Sequence, residues 1–387
     1  MKMDFKIRSS RFTPIPLVWL AVAACGGSED EVDRGPAIES YVQVVRASYA
    51  DSVAKAMTMK TAIDAYVATP SPTTLEAARM AWLAAREPYG QTEVYRFYDG
   101  PIDDPDTGPE GRVNAWPLDE AFIDYVIGND TSGIINDTGG FPTLDASVIA
   151  DQNENGGEKN IATGYHAIEF LLWGQDTDPS GPGARPHTDY VTGDGGTAAN
   201  QERRGQYLTI VTNLLVEDLQ SVAVQWSEGG NNYAAEMTGA ESNEALRRIL
   251  QGMGSLSGAE LSGERMTTAI DNRDQEDEHS CFSDNTHRDL YNNALGIQNV
   301  YLGTYGSASG GGLSALIKEL NPALDTKMRD QLAASIAAIE AIPVPFDQAI
   351  MNDDGRAKAL AAVQALQAQT ETTVEVASEL GIQINLE

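Results

Sequence analysis

The residues of this chain that could do chemistry begin with the stretch from Gly164 to Gly174, which holds a histidine and a carboxylate three positions apart. If the stretch is helical, His166 and Glu169 project from one face, one turn apart, where they can share a cation. Most of the other residues are apolar, as expected for a helix buried among others, in which an unpaired carboxylate is costly. The spacing therefore predicts that His166 and Glu169 are ligands of one metal ion.

A third ligand could come from an earlier predicted helix. Its residues Trp82, Arg86, Tyr89, Glu93 and Arg96 recur at steps of four, three, four and three, so they share one stripe. For Arg86 and Arg96 we favour an internal Arg–Glu brace under aromatic packing. Glu93, which has apolar neighbours, is the candidate third ligand facing the His166 helix.

A second polar cluster spans residues 271–289 and contains two of the four histidines. The candidate ligands in this cluster are Glu278, His279 and His287, with the acids Glu276, Asp277 and Asp284 beside them. Mixed nitrogen and oxygen donors suit iron, manganese, zinc or copper. The alternative stays open, namely that the acids are solvated and the histidines cap helices or satisfy core hydrogen bonds. For Cys281 we expect a buried structural thiol and not a ligand.

Several classes of protein are excluded by what the sequence lacks. It contains neither the Gly-x-Ser-x-Gly elbow of serine hydrolases nor the His-Glu-x-x-His of zinc proteases. The acids at 103–106 lack the regular spacing and the closing glutamate of an EF-hand. With 26 Lys and Arg against 57 Asp and Glu, the net charge is −31, so nucleic acid is not expected as a partner.

The first residues predict export and attachment to a membrane. Residues 1–24 combine a basic start with an apolar stretch too short to span a bilayer, as in a signal peptide. The sequence Val-Ala-Ala-Cys at 22–25 resembles a bacterial lipobox, which predicts cleavage before Cys25 and lipidation of its sulfur. Gly26 follows the cysteine and favours the outer membrane, so we expect a cell-envelope protein facing the periplasm or the cell surface. Residues 25–35 then form an acidic tether.

The rest of the chain predicts an all-α fold. Apolar residues recur at helical spacing, and no segment outside the loops shows sustained strand alternation. Helices are predicted at about 36–68, 71–97, 116–127, 161–174, 201–226, from 242, 283–305, 324–341 and 354–380.

Long segments rich in Gly, Pro and Asp separate these helices. The segment 175–200 is the predicted linker between an N-terminal helical bundle at 36–174, which contains the His166 motif, and a C-terminal bundle at 201–387. We expect the two bundles to pack together. Each has about four long helices, which suggests a duplication.

Together, these motifs resemble the imelysin family, also classed as M75 peptidases, and most closely its iron-regulated lipoproteins. The resemblance rests on Gly164-x-His166-x-x-Glu169, on Trp82 to Glu93, on Asn114-x-Trp116-Pro117-Leu118 and on the run from Gln275 to His287, and it covers about residues 40–380. It implies two helical bundles, an envelope location, a role in iron acquisition and a site near the domain junction.

The leading hypothesis is an envelope lipoprotein that binds a divalent or trivalent metal ion. Iron is favoured, with zinc or copper as alternatives, and the expected partners are envelope proteins of iron uptake and the membrane itself through lipid on Cys25. One alternative is a metallopeptidase acting on envelope proteins, in which the metal activates water. Another is a non-catalytic module that binds a protein or haem.

Overall fold

The structure is a computed structural model that describes residues 32–177 and 180–386. Helices dominate these residues and strands are confined to one short hairpin, which confirms the predicted all-α fold. The predicted signal peptide, Cys25 and most of the tether lie outside the described residues.

The elements lie in the following order. The helices are α1 (Gly35–Ala68), α2 (Pro72–Gly90), α3 (Glu110–Val113), α4 (Glu120–Ile123), α5 (Gly133–Asn136), α6 (Ala146–Ala150), α7 (Gly164–Trp173), α8 (Gln201–Gln225), α9 (Tyr233–Gly239), α10 (Ser242–Ser255), α11 (Thr268–Asn272), α12 (Thr286–Leu302), α13 (Gly312–Leu320), α14 (Pro322–Glu340), α15 (Phe346–Met351) and α16 (Asp353–Glu379). A π-helix (Leu256–Thr267) joins α10 to α11, 3₁₀ turns lie at Glu93–Tyr95, His187–Tyr190 and Gln275–Asp277, and β1 (Thr304–Tyr305) pairs with β2 (Ala308–Ser309).

The first two helices follow the sequence signals closely. Pro36 lies in the first turn of α1, where its missing N–H costs nothing. At the start of α2, the Ser71 hydroxyl accepts a hydrogen bond from the Thr74 N–H at 3.2 Å, and Thr74 Oγ1 accepts one from the Ser71 N–H at 3.0 Å. This reciprocal cap confirms the predicted start of α2.

Helix α2 is shorter than predicted, because it ends at Gly90 and does not reach Phe97. Helix α12 packs so closely that a Cβ at Gly90 would lie 2.8 Å from the Asn292 Cβ atom. The chain then turns through Glu93–Tyr95. Glu93 therefore does not continue the helical stripe on which its prediction was based.

Other boundaries also differ from the prediction. Helix α4 ends at Ile123, well before residue 127, and α5 and α6 lie within the segment predicted as a loop. The helix that carries His287 is capped at Asn285, not at Ser283 or Asp284.

The buried core of the described residues includes two groups of apolar side chains. The first draws on α1, α2, α7 and α8 together with Cys281 and Phe282, and the second on the π-helix and helices α11, α12, α15 and α16. Helix α8 follows the 175–200 segment and packs on α1, so the first group includes residues from both sides of that segment. Residues from Asp33 onward form one compact unit. The division into two bundles and the duplication stay predictions.

None of the helices within the described ranges combines the length and the apolar character that crossing a membrane would need.

Candidate metal centre

The glycine of the Gly164-x-His166-x-x-Glu169 motif fixes where helix α7 begins. Gly164 has a φ of 87°, a left-handed conformation that glycine adopts without strain. A Cβ there would lie 2.6 Å from the carbonyl oxygen of Val113, at the end of α3. All residues of α7 are buried, so Gly164 allows this helix to start inside the core, three residues later than predicted.

His166 and Glu169 contact each other one turn apart on α7. The Nδ1 atom of His166 lies 2.9 Å from Oε2 of Glu169, and both side chains are buried. The other carboxylate oxygen accepts hydrogen bonds from the Ser283 N–H at 2.9 Å and from its hydroxyl at 2.6 Å. Burial raises the pKa of Glu169 to about 8, while the Ser283 hydrogen bonds lower it. Glu169 thus holds the His166 ring in a fixed orientation.

His279 forms an equivalent contact with a carboxylate of helix α12. Its Nδ1 atom lies 2.8 Å from Oδ2 of Asp289, and this oxygen also accepts a hydrogen bond from the Ser280 hydroxyl at 2.5 Å. Burial favours a higher pKa for Asp289, but Arg86 and His279 hold it well below its usual range. Asp289 is therefore ionised, and it accepts the Nδ1 proton of His279.

The two imidazoles lie side by side although they are far apart in sequence. Their ring centroids are 4.6 Å apart at an angle of 77°, and the Trp116 ring lies 5.7 Å from that of His279. The Nε2 atom of His166 is buried and has no hydrogen-bond partner among the described residues. The Nε2 atom of His279 likewise makes no hydrogen bond within those ranges. Two ring nitrogens without hydrogen-bond partners thus lie on adjacent imidazoles.

The electrostatic surroundings keep both rings neutral near pH 7. Burial lowers the pKa of His166 well below its usual range, and His279 and Arg86 lower it further. Burial and the Arg265 charge lower the pKa of His279 to about 4. A neutral imidazole is the form that binds a metal ion.

Arg86 joins the histidine pair to a larger polar network. Its guanidinium donates to Asp289 Oδ1 at 3.2 Å and to Asn114 Oδ1 at 2.6 Å, and it lies 4.9 Å from the centre of the Tyr165 ring. The prediction of a buried brace under aromatic rings is thus correct. The predicted glutamate partner is wrong for Arg86, because Arg86 pairs with Asp289 of α12.

Glu93 is paired with arginines and makes no contact with His166 among the described residues. Its Oε2 atom lies 2.6 Å from Arg265 and 3.3 Å from Arg96, and Asn114 donates to Oε1 at 3.4 Å. Burial opposes ionisation, yet Arg265 and Arg96 lower the pKa of Glu93 to about 2. The Arg96–Glu93 brace is confirmed. A ligand role for Glu93 would require breaking these ion pairs.

The remaining candidates lie outside the contacts of the histidine pair. Burial raises the pKa of Glu278 well above its usual range, and the carboxyl groups of Asp347, Asp284 and Asp176 raise it further. His287 is half-buried, with Nδ1 at 3.1 Å from the Asp284 carbonyl oxygen, and it makes no hydrogen bond or ring contact with His166 or His279 in the described ranges. The ligand roles of Glu278 and His287 stay predictions.

Cys281 is a free, buried cysteine two residues after His279. Burial raises the pKa of its thiol well above the usual range. This agrees with the expected buried structural thiol.

A cavity of about 160 Å³ lies beside His279. Its wall includes Trp116 and Asn114, the π-helix residues Glu260 and Arg265, Glu110 of α3 and two glutamates of the loop after α6. Within the described ranges, no three His, Cys, Asp or Glu side chains are arranged so that they could hold a metal ion. The protein thus offers two nitrogens and an adjacent acidic space.

The sequence analysis missed the residues that orient the site. Asp289 and Ser283 were not assigned to the site, and Asn114 appeared only as part of the family resemblance. Arg265 lies on a segment where the glycines indicated only a break or a close helix contact. Asp289 shares the buried face of α12 with Thr286, Asn292 and Asn293, so it does not stand out as a polar exception in an apolar pattern. No local pattern marks Arg265.

Comparisons with known proteins agree with the resemblance. The family model described as Imelysin, of the M75 peptidases, matches residues 45–373. The chain is 27% identical over 363 residues to iron-regulated protein A of Synechococcus elongatus, which covers 90% of this chain and 87% of that protein.

Among solved structures, the fold matches a crystal structure described as an iron-regulated protein A precursor from Parabacteroides distasonis. The TM-score is 0.70 at 24% identity, over 92% of this chain and 97% of that one, so the likeness shows a shared fold. Since the family model spans most of the sequence, the chain belongs to the imelysin family.

Proposed function

We propose that this protein binds a divalent metal ion through the Nε2 atoms of His166 and His279. The observation that carries the proposal is the buried Nε2 atom of His166, which has no partner among the described residues and lies beside a second imidazole. A buried polar atom without a partner costs free energy, and a bound ion would remove that cost.

The carboxylates behind the two rings support this arrangement. A histidine that binds a metal usually donates its other ring N–H to a carboxylate, which fixes the tautomer and directs the free nitrogen at the ion. Glu169 and Asp289 occupy these positions. In this proposal Glu169 orients His166 and is not itself a ligand, which differs from the prediction made from spacing alone.

The donor set favours divalent over trivalent ions. Neutral imidazoles suit ferrous iron, zinc and copper, whereas the carboxyl groups nearest to the rings are already hydrogen-bonded to Nδ1. Ferrous iron is the favoured ion because the relatives that match this chain are named as iron-regulated proteins. Each ring is 1% exposed, and nothing in the described residues favours a peptidase, whose substrate would need an open cleft.

We further propose that the site serves iron acquisition in the cell envelope. The support is the signal-like segment 1–24 and the cysteine at 25, which would carry lipid and hold the protein at the outer membrane. Envelope proteins of iron uptake would then be its partners. Globomycin-sensitive processing and labelling of Cys25 with a fatty-acid analogue would test the anchor, and a Cys25→Ser variant that still becomes labelled would refute it.

Isothermal titration with Fe²⁺ under anaerobic conditions, with Zn²⁺, Cu²⁺ and Fe³⁺ in parallel, tests the metal site. We expect one strong site for divalent ions, which His166→Ala and His279→Ala each abolish. Glu169→Gln should weaken binding by about 10- to 100-fold, as expected for a residue that orients a ligand.

His187→Ala is the matched control, because His187 lies in the 3₁₀ turn His187–Tyr190 and makes no contact with the pair in the described ranges, and this variant should bind as the unaltered protein does. Unchanged affinity in both His166→Ala and His279→Ala would refute the proposal.

A further inference from the structure

The cavity beside His279 carries an excess of negative charge. Five glutamates and two arginines contribute to its wall, which gives a net charge of −3 when all are ionised. The guanidinium groups of Arg96 and Arg265 pair with Glu93, Glu260 and, for Arg96, Glu110. The positive charges are therefore already matched within the wall.

Three glutamates of the wall remain, and all three are exposed. Glu154 and Glu158 belong to the loop after α6 and Glu264 to the π-helix, and none of them forms an ion pair within the described ranges. The pKa of Glu264 is raised by partial burial and by the neighbouring charge of Glu260, a sign that negative charges crowd this place. These residues lie where the cavity meets solvent.

A side chain of the proposed metal site, His279, contributes to the wall of the same cavity. His279 is buried, contributes to the wall and has no hydrogen bond at Nε2 within the described ranges, while the partnerless Nε2 of His166 lies on the neighbouring ring. Acidic residues alone would be a solvated surface. Acidic residues beside one free imidazole nitrogen, with a second free nitrogen on the adjacent ring, form a path for a cation.

We propose that this acidic cavity admits the metal as a hydrated divalent cation and excludes anionic chelates. The inference rests on the proposed function and names the form in which the ion arrives. No three side chains in the described ranges could hold a bare ion, so two imidazoles replace two waters and the ion keeps the rest. The glutamate oxygens accept hydrogen bonds from those waters. A metal chelate that carries several carboxylates is negatively charged, so the negatively charged wall repels it.

Stopped-flow mixing of the full-length protein with CoCl₂ tests this inference, because Co²⁺ absorption changes when imidazole replaces water. The variant combines Glu154→Gln, Glu158→Gln and Glu264→Gln. The matched control removes three exposed glutamates without ion pairs elsewhere, by Glu39→Gln, Glu217→Gln and Glu371→Gln.

Relative to the control, the association rate of the cavity variant should fall by about tenfold at low ionic strength. The difference should shrink as salt is added, because salt screens exposed charges. In a second arm, cobalt presented with excess citrate should bind no faster than citrate releases it.

Two results would overturn the inference while leaving the proposed function intact. These are equal association rates in the cavity variant and the control, and uptake of cobalt citrate faster than the complex dissociates. Failure of the proposed function is recognised by measurements on the unaltered protein and on His279→Ala. In that case CoCl₂ gives no spectral change with the unaltered protein, or it gives the same change with His279→Ala. Either of these outcomes would overturn the inference as well.

Discussion

The buried pair of Arg86 and Asp289 offers the sharpest test of the network behind the histidines. Both side chains are 1% exposed, and their closest charged atoms are 3.1 Å apart. Asp289→Asn preserves the shape of the side chain but removes its charge. The Arg86 guanidinium would then be left as an uncompensated charge in the core.

The expected cost follows from this burial. Removing one partner of a buried ion pair destabilises a protein by about 3–5 kcal/mol, because the remaining charge keeps its desolvation penalty. The entropy of unfolding is about 2.1 cal/mol/K per residue, or roughly 0.7 kcal/mol/K for the unit from Asp33 to Glu387. We therefore expect Tm to fall by about 4–7 °C.

Urea unfolding and calorimetry of Asp289→Asn, Arg86→Met and the double variant would measure this effect. The double variant should be more stable than Asp289→Asn, since it contains no buried charge without a partner. Glu87→Gln is the matched control, because the Arg288–Glu87 pair is more than one-third exposed on both sides and should be worth less than about 1 kcal/mol. The reasoning is wrong if Asp289→Asn costs no more than this control, or if Arg86→Met restores nothing.

Three further predictions concern Glu93 and two backbone positions. The pKa of Glu93 is lowered to about 2 from an ordinary value of 4.5, so its stabilising effect is complete above about pH 4.5 and is lost as the pH falls through 2. The difference in unfolding free energy between the unaltered protein and Glu93→Gln should therefore shrink across that window. Urea titration at several pH values would measure it. Gly164→Ala should lower stability by about 2 kcal/mol through strain and contact with the Val113 carbonyl, whereas Gly239→Ala, with open space around it, should be neutral or slightly stabilising in the same thermal scans. Ser71→Ala should cost about 1 kcal/mol by removing the cap of α2, and a change within error would show that Thr74 and water replace it.

The parts of the fold and site that could be predicted are those set by local spacing. Helical periodicity and capping residues predicted the bounds of α1, α8 and α16 and the start of α2 to within one or two residues. The contact between His166 and Glu169 follows from three positions on one helix, so the sequence alone was enough to expect it.

The parts that could not be predicted depend on contacts between distant segments. Glu93 was expected beside His166 because the helix was extended past Gly90, but α2 ends at Gly90, where α12 packs against it. The partner of Glu93 is Arg265, which lies in a π-helix. Residue propensities do not predict the wider turn of a π-helix. Likewise, the pairing of His279 with Asp289 depends on how the 279–285 turn folds back onto α12.

The adjacency of His166 and His279 has a consequence for when the proposed metal site forms. One ring belongs to α7 and the other to the turn before α12, so the two nitrogens meet only after the chain has folded around them. A nascent or partly unfolded molecule would have no cargo site, and therefore could not capture metal prematurely. If the proposed site binds an ion, that ion would join α7 to the turn before α12, so bound metal would raise the free energy of unfolding.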